Sequence, residues 1–168
     1  MTLNELNKLD IDEAFAWFNH CCVASYWCEL MVESMPYKDL TCLLEHSQTA
    51  WQKCTESDFL EAFEGHPMIG DVASLRTKYA ATQKLASHEQ QGATEADEAT
   101  LQKLHQLNQS YLAKHGFIFI ICATGLSAQT MLDALQSRVD NDTATEITLA
   151  AAEQLKITQL RINKGLIT

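Results

Sequence analysis

Residues 117–123 read Phe-Ile-Phe-Ile-Ile-Cys-Ala, an unbroken apolar run whose reading decides the fold class. Periodicity alone allows either a buried strand or a buried helix there. A strand needs a ladder partner, and the sequence on either side reads as helix. Upstream, Leu101, Leu104, Leu107 and Tyr111 trace an apolar stripe at helical spacing that Gly116 ends. Downstream, Ser127 is placed to cap a helix with Met131, Leu132 and Leu135 facing inward. The run is therefore expected as a short buried extended segment, or a helix entry, within an all-α chain.

The remaining punctuation agrees with that class. Asp10 with Glu13 three residues on reads as a capping box, and Phe15, Phe18 and Cys22 mark one face of the helix that follows. A second helix is expected over 24–34, with Tyr26, Leu30 and Met31 inward, and Pro36 stops it. A third is expected over 39–54. Thr55 caps a fourth, carrying Phe59, Leu60 and Phe63, and Gly65 fits a left-handed position just past its end. Residues 66–71 break the periodicity as a loop. Helix returns over 74–90, Gly92 interrupts it, and the polar, acidic stretch 93–100 reads as a solvated helix start. Thr143 with Glu146 gives a second capping-box pattern, opening a last helix that runs to about Lys164. The expectation is a single domain over 1–168, built as a multi-helix bundle.

Bulk properties narrow the function. A chain of 168 residues with 46% hydrophobic content suits one compact core. No apolar stretch approaches the roughly 20 residues needed to cross a bilayer. Met1 to Asp10 lacks the pattern of a secretory signal, and Lys164 to Thr168 carries no lipidation or peroxisomal signal, so a cytoplasmic protein with no membrane partner is expected. A net charge of −10 repels phosphate backbones, which argues against nucleic acid as a partner. The six cysteines form no C-x-x-C pair and no zinc-finger spacing; they read as reduced thiols within apolar patterns, and no metal site is expected. Neither a phosphate-binding glycine loop nor a nucleophile elbow occurs.

Three residues stand out for chemistry. His66 precedes Pro67, which stiffens the backbone; it reads either as a surface histidine before a turn or as an acid or base near neutral pH. Glu89 opens like a zinc-helix motif in His88-Glu89, but the second histidine is missing, and an exposed helix carboxylate is the plainer reading. Arg161, flanked by Leu160 and Ile162, lies along the polar edge of an amphipathic helix or offers its guanidinium fork to an anion. Residue types and spacing do not name a reaction.

The motifs together resemble those of the ureidoimidazoline decarboxylases. Phe18-Asn19-His20-Cys21-Cys22, with Ser25 and Trp27, is similar to that family's early helix signature. His66-Pro67-Met68-Ile69-Gly70-Asp71 resembles its histidine loop, Glu89-Gln90 with Gly92 its E-Q-x-G element, and Gly116 to Ala123 its G-F-P-F-[IV]-I-C-A stretch. Arg138, Asn141, Glu146 and Leu160-Arg161-Ile162 resemble its closing pattern. The resemblance implies an all-helical, homodimeric, cofactor-free enzyme. Its small-molecule substrate would be 2-oxo-4-hydroxy-4-carboxy-5-ureidoimidazoline (OHCU), decarboxylated to (S)-allantoin in urate breakdown. It implies His66, Glu89 and Arg161 as the catalytic groups, Pro67 as the residue shaping the loop, and Phe119, Ile120 and Ile121 as the lining that hydrogen-bonds substrate through its backbone. Met68 stands where a charged residue is usual, Ile118 where proline is common, and Leu85-Ala86 where many members have Trp-Ser. Loss of that serine removes one substrate hydrogen bond, about 0.5–1.5 kcal/mol.

Three other readings compete with this one. The chain would serve as a non-catalytic helical partner of urate-pathway enzymes, act on another hydroxylated heterocycle, or use a thiol at Cys122, Cys21 or Cys22.

Overall fold

The computed structural model describes residues 1–66 and 92–167, and for residues 92–97 the backbone alone. Among these residues every regular element is an α-helix. In chain order they are α1 (Leu3–Leu6), α2 (Ile11–Cys21), α3 (Ser25–Glu33), α4 (Leu40–Lys53), α5 (Glu56–Glu64), α6 (Gly92–His115), α7 (Ala128–Arg138) and α8 (Thr143–Gly165). The chain divides into two compact units. One comprises Met1–His66 with Ile147–Thr168, the other Pro67–Glu146. The expected helix over 74–90, with Glu89, and the loop residues from Pro67 to Asp71 lie outside the described residues.

The first unit is built around aromatic side chains on α2 and α3. Phe18, Trp27 and Tyr37 pack edge to face, with ring centroids 5.9 Å apart for Phe18 and Trp27 and 6.3 Å for Phe18 and Tyr37. Leu6, Met31 and Leu43 close the core around them and are fully buried. Each buried indole satisfies its N–H: Trp27 Nε1 donates to the Ser47 carbonyl at 3.1 Å, and Trp51 Nε1 to the Ala151 carbonyl on α8 at 3.0 Å. The Asp10–Glu13 capping box opens α2 as expected, with Glu13 N–H donating to Asp10 Oδ1 at 2.8 Å. Two inward assignments need correction. Tyr26 is exposed, and Trp27 and Cys28 take the inner face of α3 beside Met31. On α2 the buried stripe is Ala14, Phe18 and Cys21; Cys22 is buried too, but beyond the helix, and Phe15 is only half-buried.

In the second unit α6 packs on α7. Gly116 ends α6 with φ near +81°, a conformation that costs a residue bearing a Cβ about 1–2 kcal/mol. The run after it is non-helical and forms no strand, and Phe117, Phe119 and Ile120 are buried, matching the extended reading. Ser127 caps α7 by accepting the Thr130 N–H at 3.1 Å, and Met131, Leu132 and Leu135 are its buried residues.

The second capping box does not form. Asp142, not Thr143, caps α8: its Oδ1 accepts the Thr145 N–H at 2.9 Å. Glu146 instead turns into the second unit, where Arg138, Asn141 and Tyr111 consume both its oxygens.

Candidate active site

His66 is set in place by the end of α5 and the corner between α2 and α3. No side chain caps α3 from its own N-terminus. Glu61 on α5 does so from across the unit, accepting the Ser25 N–H at 3.1 Å and the Ser25 hydroxyl at 2.6 Å. That bond ties α5 to the corner. Two residues past α5, the backbone closes with Gly65 N–H donating to the Ala62 carbonyl and His66 N–H to the Phe63 carbonyl.

Gly65 has φ of −69° and ψ of 0°, which is right-handed, so the expected left-handed cap is wrong. Its glycine is required by close approach instead. A Cβ on Gly65 would lie 2.6 Å from Val23 Cγ2 and 2.9 Å from Cγ1, both on a β-branched side chain that is stiff at χ1. Gly65→Ala is expected to cost about 1–3 kcal/mol of stability. If His66 takes part in turnover, kcat should fall as well, because the clash with Val23 displaces the residue next to His66. Thermal unfolding and kcat measured on the same sample check both effects.

The imidazole then meets α8. His66 Nε2 lies 2.5 Å from Gln154 Oε1, and Gln154 Nε2 donates to Thr158 Oγ1 at 3.2 Å. Gln154 and Thr158 are buried polar residues. One turn further on, Arg161 Nη1 donates to the Cys21 carbonyl at 3.0 Å. Among the described residues no carboxylate pairs with this half-buried guanidinium. Gln154, Thr158 and Arg161 follow one another at spacings of four and three, so they share one face of α8. The first unit thus holds an imidazole and a cation along one polar stripe, about two helical turns apart.

The segment 119–121 is held within the second unit. Arg138 Nη1 donates to the Ile120 carbonyl at 2.9 Å, and its guanidinium carbon lies 4.6 Å from the Phe119 ring centre. Arg138 is fixed in turn by Glu146, whose Oε2 accepts from Nε at 2.9 Å and Nη2 at 2.7 Å. The Tyr111 hydroxyl donates to the same oxygen at 2.5 Å, and Asn141 Nδ2 to the other at 2.7 Å. Glu146 is fully buried. Burial pushes its carboxyl up, but hydrogen bonds from Arg138, Tyr111 and Asn141, with the Arg138 charge, hold it below the ordinary carboxylate range. Burial and the bond to Glu146 push the Tyr111 phenol up.

The structure therefore places His66 and Arg161 on one face in the first unit and Phe119, Ile120 and Ile121 in the second. Pro67 and Glu89 lie outside the described residues. Cys21 and Cys22 do not read as nucleophiles. Burial pushes Cys21 up to about 12 despite the Arg161 charge, and it raises Cys22 as well. Among the described residues no three His, Cys, Asp or Glu side chains come together as a metal site, and no helix is long and apolar enough to cross a membrane.

Residues 7–163 match the family model described as OHCU decarboxylase. This chain belongs to the OHCU decarboxylase family. The uric acid degradation bifunctional protein TTL of Arabidopsis thaliana is 34% identical over 144 residues, covering 86% of this chain and 44% of that protein. This chain thus spans less than half of that relative's length. The 2-oxo-4-hydroxy-4-carboxy-5-ureidoimidazoline decarboxylase of Haloferax volcanii is 26% identical, covering 96% of this chain and 94% of that one. A crystal structure of an OHCU decarboxylase in the presence of (S)-allantoin superposes with a TM-score of 0.70 at 34% identity, over 89% of this chain and 96% of that chain.

Within the family frame, the early helix signature acquires a structural meaning. Trp27 is core, Ser25 receives the Glu61 cap, and the Cys21 carbonyl holds Arg161. Sequence reasoning missed Gln154. Its polar side chain recurs with Thr158 and Arg161 on a face otherwise carrying Ala150, Ala151 and Ile162, and that spacing was the available signal.

Proposed function

We propose that this chain decarboxylates OHCU stereospecifically to (S)-allantoin in urate degradation, as a cofactor-independent carboxy-lyase. The observation that carries the reading is the 34% identity, over nearly nine-tenths of the chain, to a decarboxylase crystallised with (S)-allantoin. His66, Glu89 and Arg161 are the catalytic groups. Pro67 shapes the histidine loop, and the backbone of Phe119, Ile120 and Ile121 lines the pocket. The chain works as a single domain over 1–168, in a cytoplasmic homodimer.

The chemistry suits these residue types. The bond to the carboxylate breaks, CO2 leaves, and the electron pair enters the ring toward its conjugated C=N. The ring thereby acts as its own electron sink, a task that other decarboxylases give to a cofactor. The ring nitrogen that receives the pair takes a proton from solvent, a second proton adds to the ring carbon on one face, and the 4-hydroxyl proton is lost as the ring carbonyl forms. His66 handles the hydroxyl proton. Arg161 binds a carboxylate or ring carbonyl oxygen and offsets negative charge as it develops. Glu89 accepts hydrogen bonds from ureido or ring N–H groups and fixes the face presented to the proton.

Protein dialysed against EDTA should accelerate the loss of freshly generated OHCU as fast as untreated protein does. Activity that falls on dialysis and returns with added metal would remove cofactor independence. No acceleration by either sample would remove the decarboxylase reading and favour the non-catalytic partner.

A further inference from the structure

We infer that Arg138 is a positioning residue for the reaction: it turns the peptide between Ile120 and Ile121 so that the Ile121 N–H stands free to donate to a substrate oxygen. The inference rests on the reading that the 119–121 backbone lines the pocket. It names the group there that meets the substrate and the side chain that aims it.

The Arg138 fork is spent in two directions. Nε and Nη2 donate to Glu146 Oε2, and Nη1 donates to the Ile120 carbonyl at 2.9 Å. Glu146 cannot give way, because Tyr111 and Asn141 hold its two oxygens as well. The guanidinium also covers the Phe119 ring, which Tyr111 meets edge to face at 5.3 Å. The ring at 119 and the carbonyl at 120 are thus fixed by one side chain, all within the second unit. The peptide that follows is planar and trans, so its C=O and N–H point in opposite directions. With the carbonyl turned toward Arg138, the Ile121 N–H is turned away from it. Among the described residues that N–H has no hydrogen-bond partner. Phe119 and Ile120 are buried, and the chain regains solvent at half-buried Ile121. A backbone donor needs a partner, and this one takes it from outside the fold: water in the free protein, a carbonyl or carboxylate oxygen of the substrate in the complex. Stability alone does not call for an arginine here. Apolar side chains of similar volume often hold a core as well as a buried ion pair, because desolvation offsets the attraction. What the planar fork adds is direction.

The test separates aim from stability. Arg138→Lys keeps a cation beside Glu146 but lacks the second arm that reaches the Ile120 carbonyl. Its kcat/KM on OHCU should fall about 10–100-fold, the worth of one hydrogen bond to a charged oxygen. Leu104→Ala is the control. Leu104 is fully buried on α6, about 10 Å along the helix from Tyr111. That variant should lose at least as much melting temperature yet keep its kcat/KM, with both variants assayed well below their melting temperatures. A merely structural role predicts that Arg138→Lys keeps its kcat/KM under the same conditions. The donor itself is read in 1H–15N spectra of the wild-type protein. Saturating (S)-allantoin, the compound present with the related decarboxylase, should move the Ile121 amide proton downfield, and Arg138→Lys should shrink that shift. Unchanged kcat/KM in Arg138→Lys, or a wild-type Ile121 amide that does not respond to (S)-allantoin while the enzyme turns over OHCU, overturns the inference alone. A wild-type protein inactive on OHCU overturns the functional reading, and this role with it.

Discussion

Replacing His66 by asparagine is expected to lower kcat by about 10²–10⁴-fold, the range for losing a positioned acid or base. KM should change little, because the proposed roles leave substrate binding to other groups. The fold should survive. His66 is only half-buried, and the main local loss is the acceptor left on Gln154, about 1–3 kcal/mol. Steady-state kinetics with thermal unfolding on the same variant separates the two. Near-normal turnover in a folded His66→Asn protein would show that another group moves the proton.

The largest effect on stability should come from Arg138→Ala. Arg138 and Glu146 are a buried pair, with side-chain exposures of 11% and 0%. Removing the cation leaves a carboxylate in the interior facing only Tyr111 and Asn141. Breaking such a pair costs about 3–5 kcal/mol, or roughly 10 °C in Tm for a chain of this size. Arg138→Lys should lose less, since it keeps the charge but not the fork that also reaches the Ile120 carbonyl. Acid should reproduce part of the loss in the native protein. The Glu146 pKa is depressed in the folded state, so its contribution is fully present above the ordinary glutamate value near about 4.3 and fades as pH falls below it. Denaturant unfolding of the wild type between about pH 6 and 3 should show that slope, and Glu146→Gln should flatten it. An Arg138→Ala protein as stable as wild type would mean the network is not fixing the segment that carries Phe119 to Ile121.

The same cluster shows what could be read from sequence. Helix stops and caps set by local chemistry were legible: the Asp10–Glu13 box, Pro36, Ser127 and Gly116 behave as their residue types dictate. Thr143–Glu146 satisfied the same pattern and failed. Asp142 stood one residue earlier as a better acceptor, and Arg138, eight residues before Glu146, drew its carboxylate inward. No local rule sees that competition. Gly65 is parallel: a glycine after a helix suggests a left-handed cap, whereas here Val23, more than forty residues away, excludes any side chain. Spacing alone puts Tyr26 inside; the inner face of α3 goes to Trp27, whose indole N–H donates to the Ser47 carbonyl. At the site, His66 and Arg161 are recognisable by resemblance, and helical spacing puts Gln154, which His66 meets, on the α8 face that carries Arg161. Contacts that depend on the fold, such as Glu61 capping α3 and Cys21 holding Arg161, had no sequence signal of their own.

The central claim is stereospecific decarboxylation, and the most direct test is the handedness of the product. Urate would be oxidised by uricase, and the product hydrolysed to OHCU by the enzyme that follows it. Allantoin formation would be followed by circular dichroism with wild-type protein, with His66→Asn and with no addition. The account predicts a rapid (S)-allantoin signal from wild type alone. A racemic product, formed no faster than without protein, would contradict it.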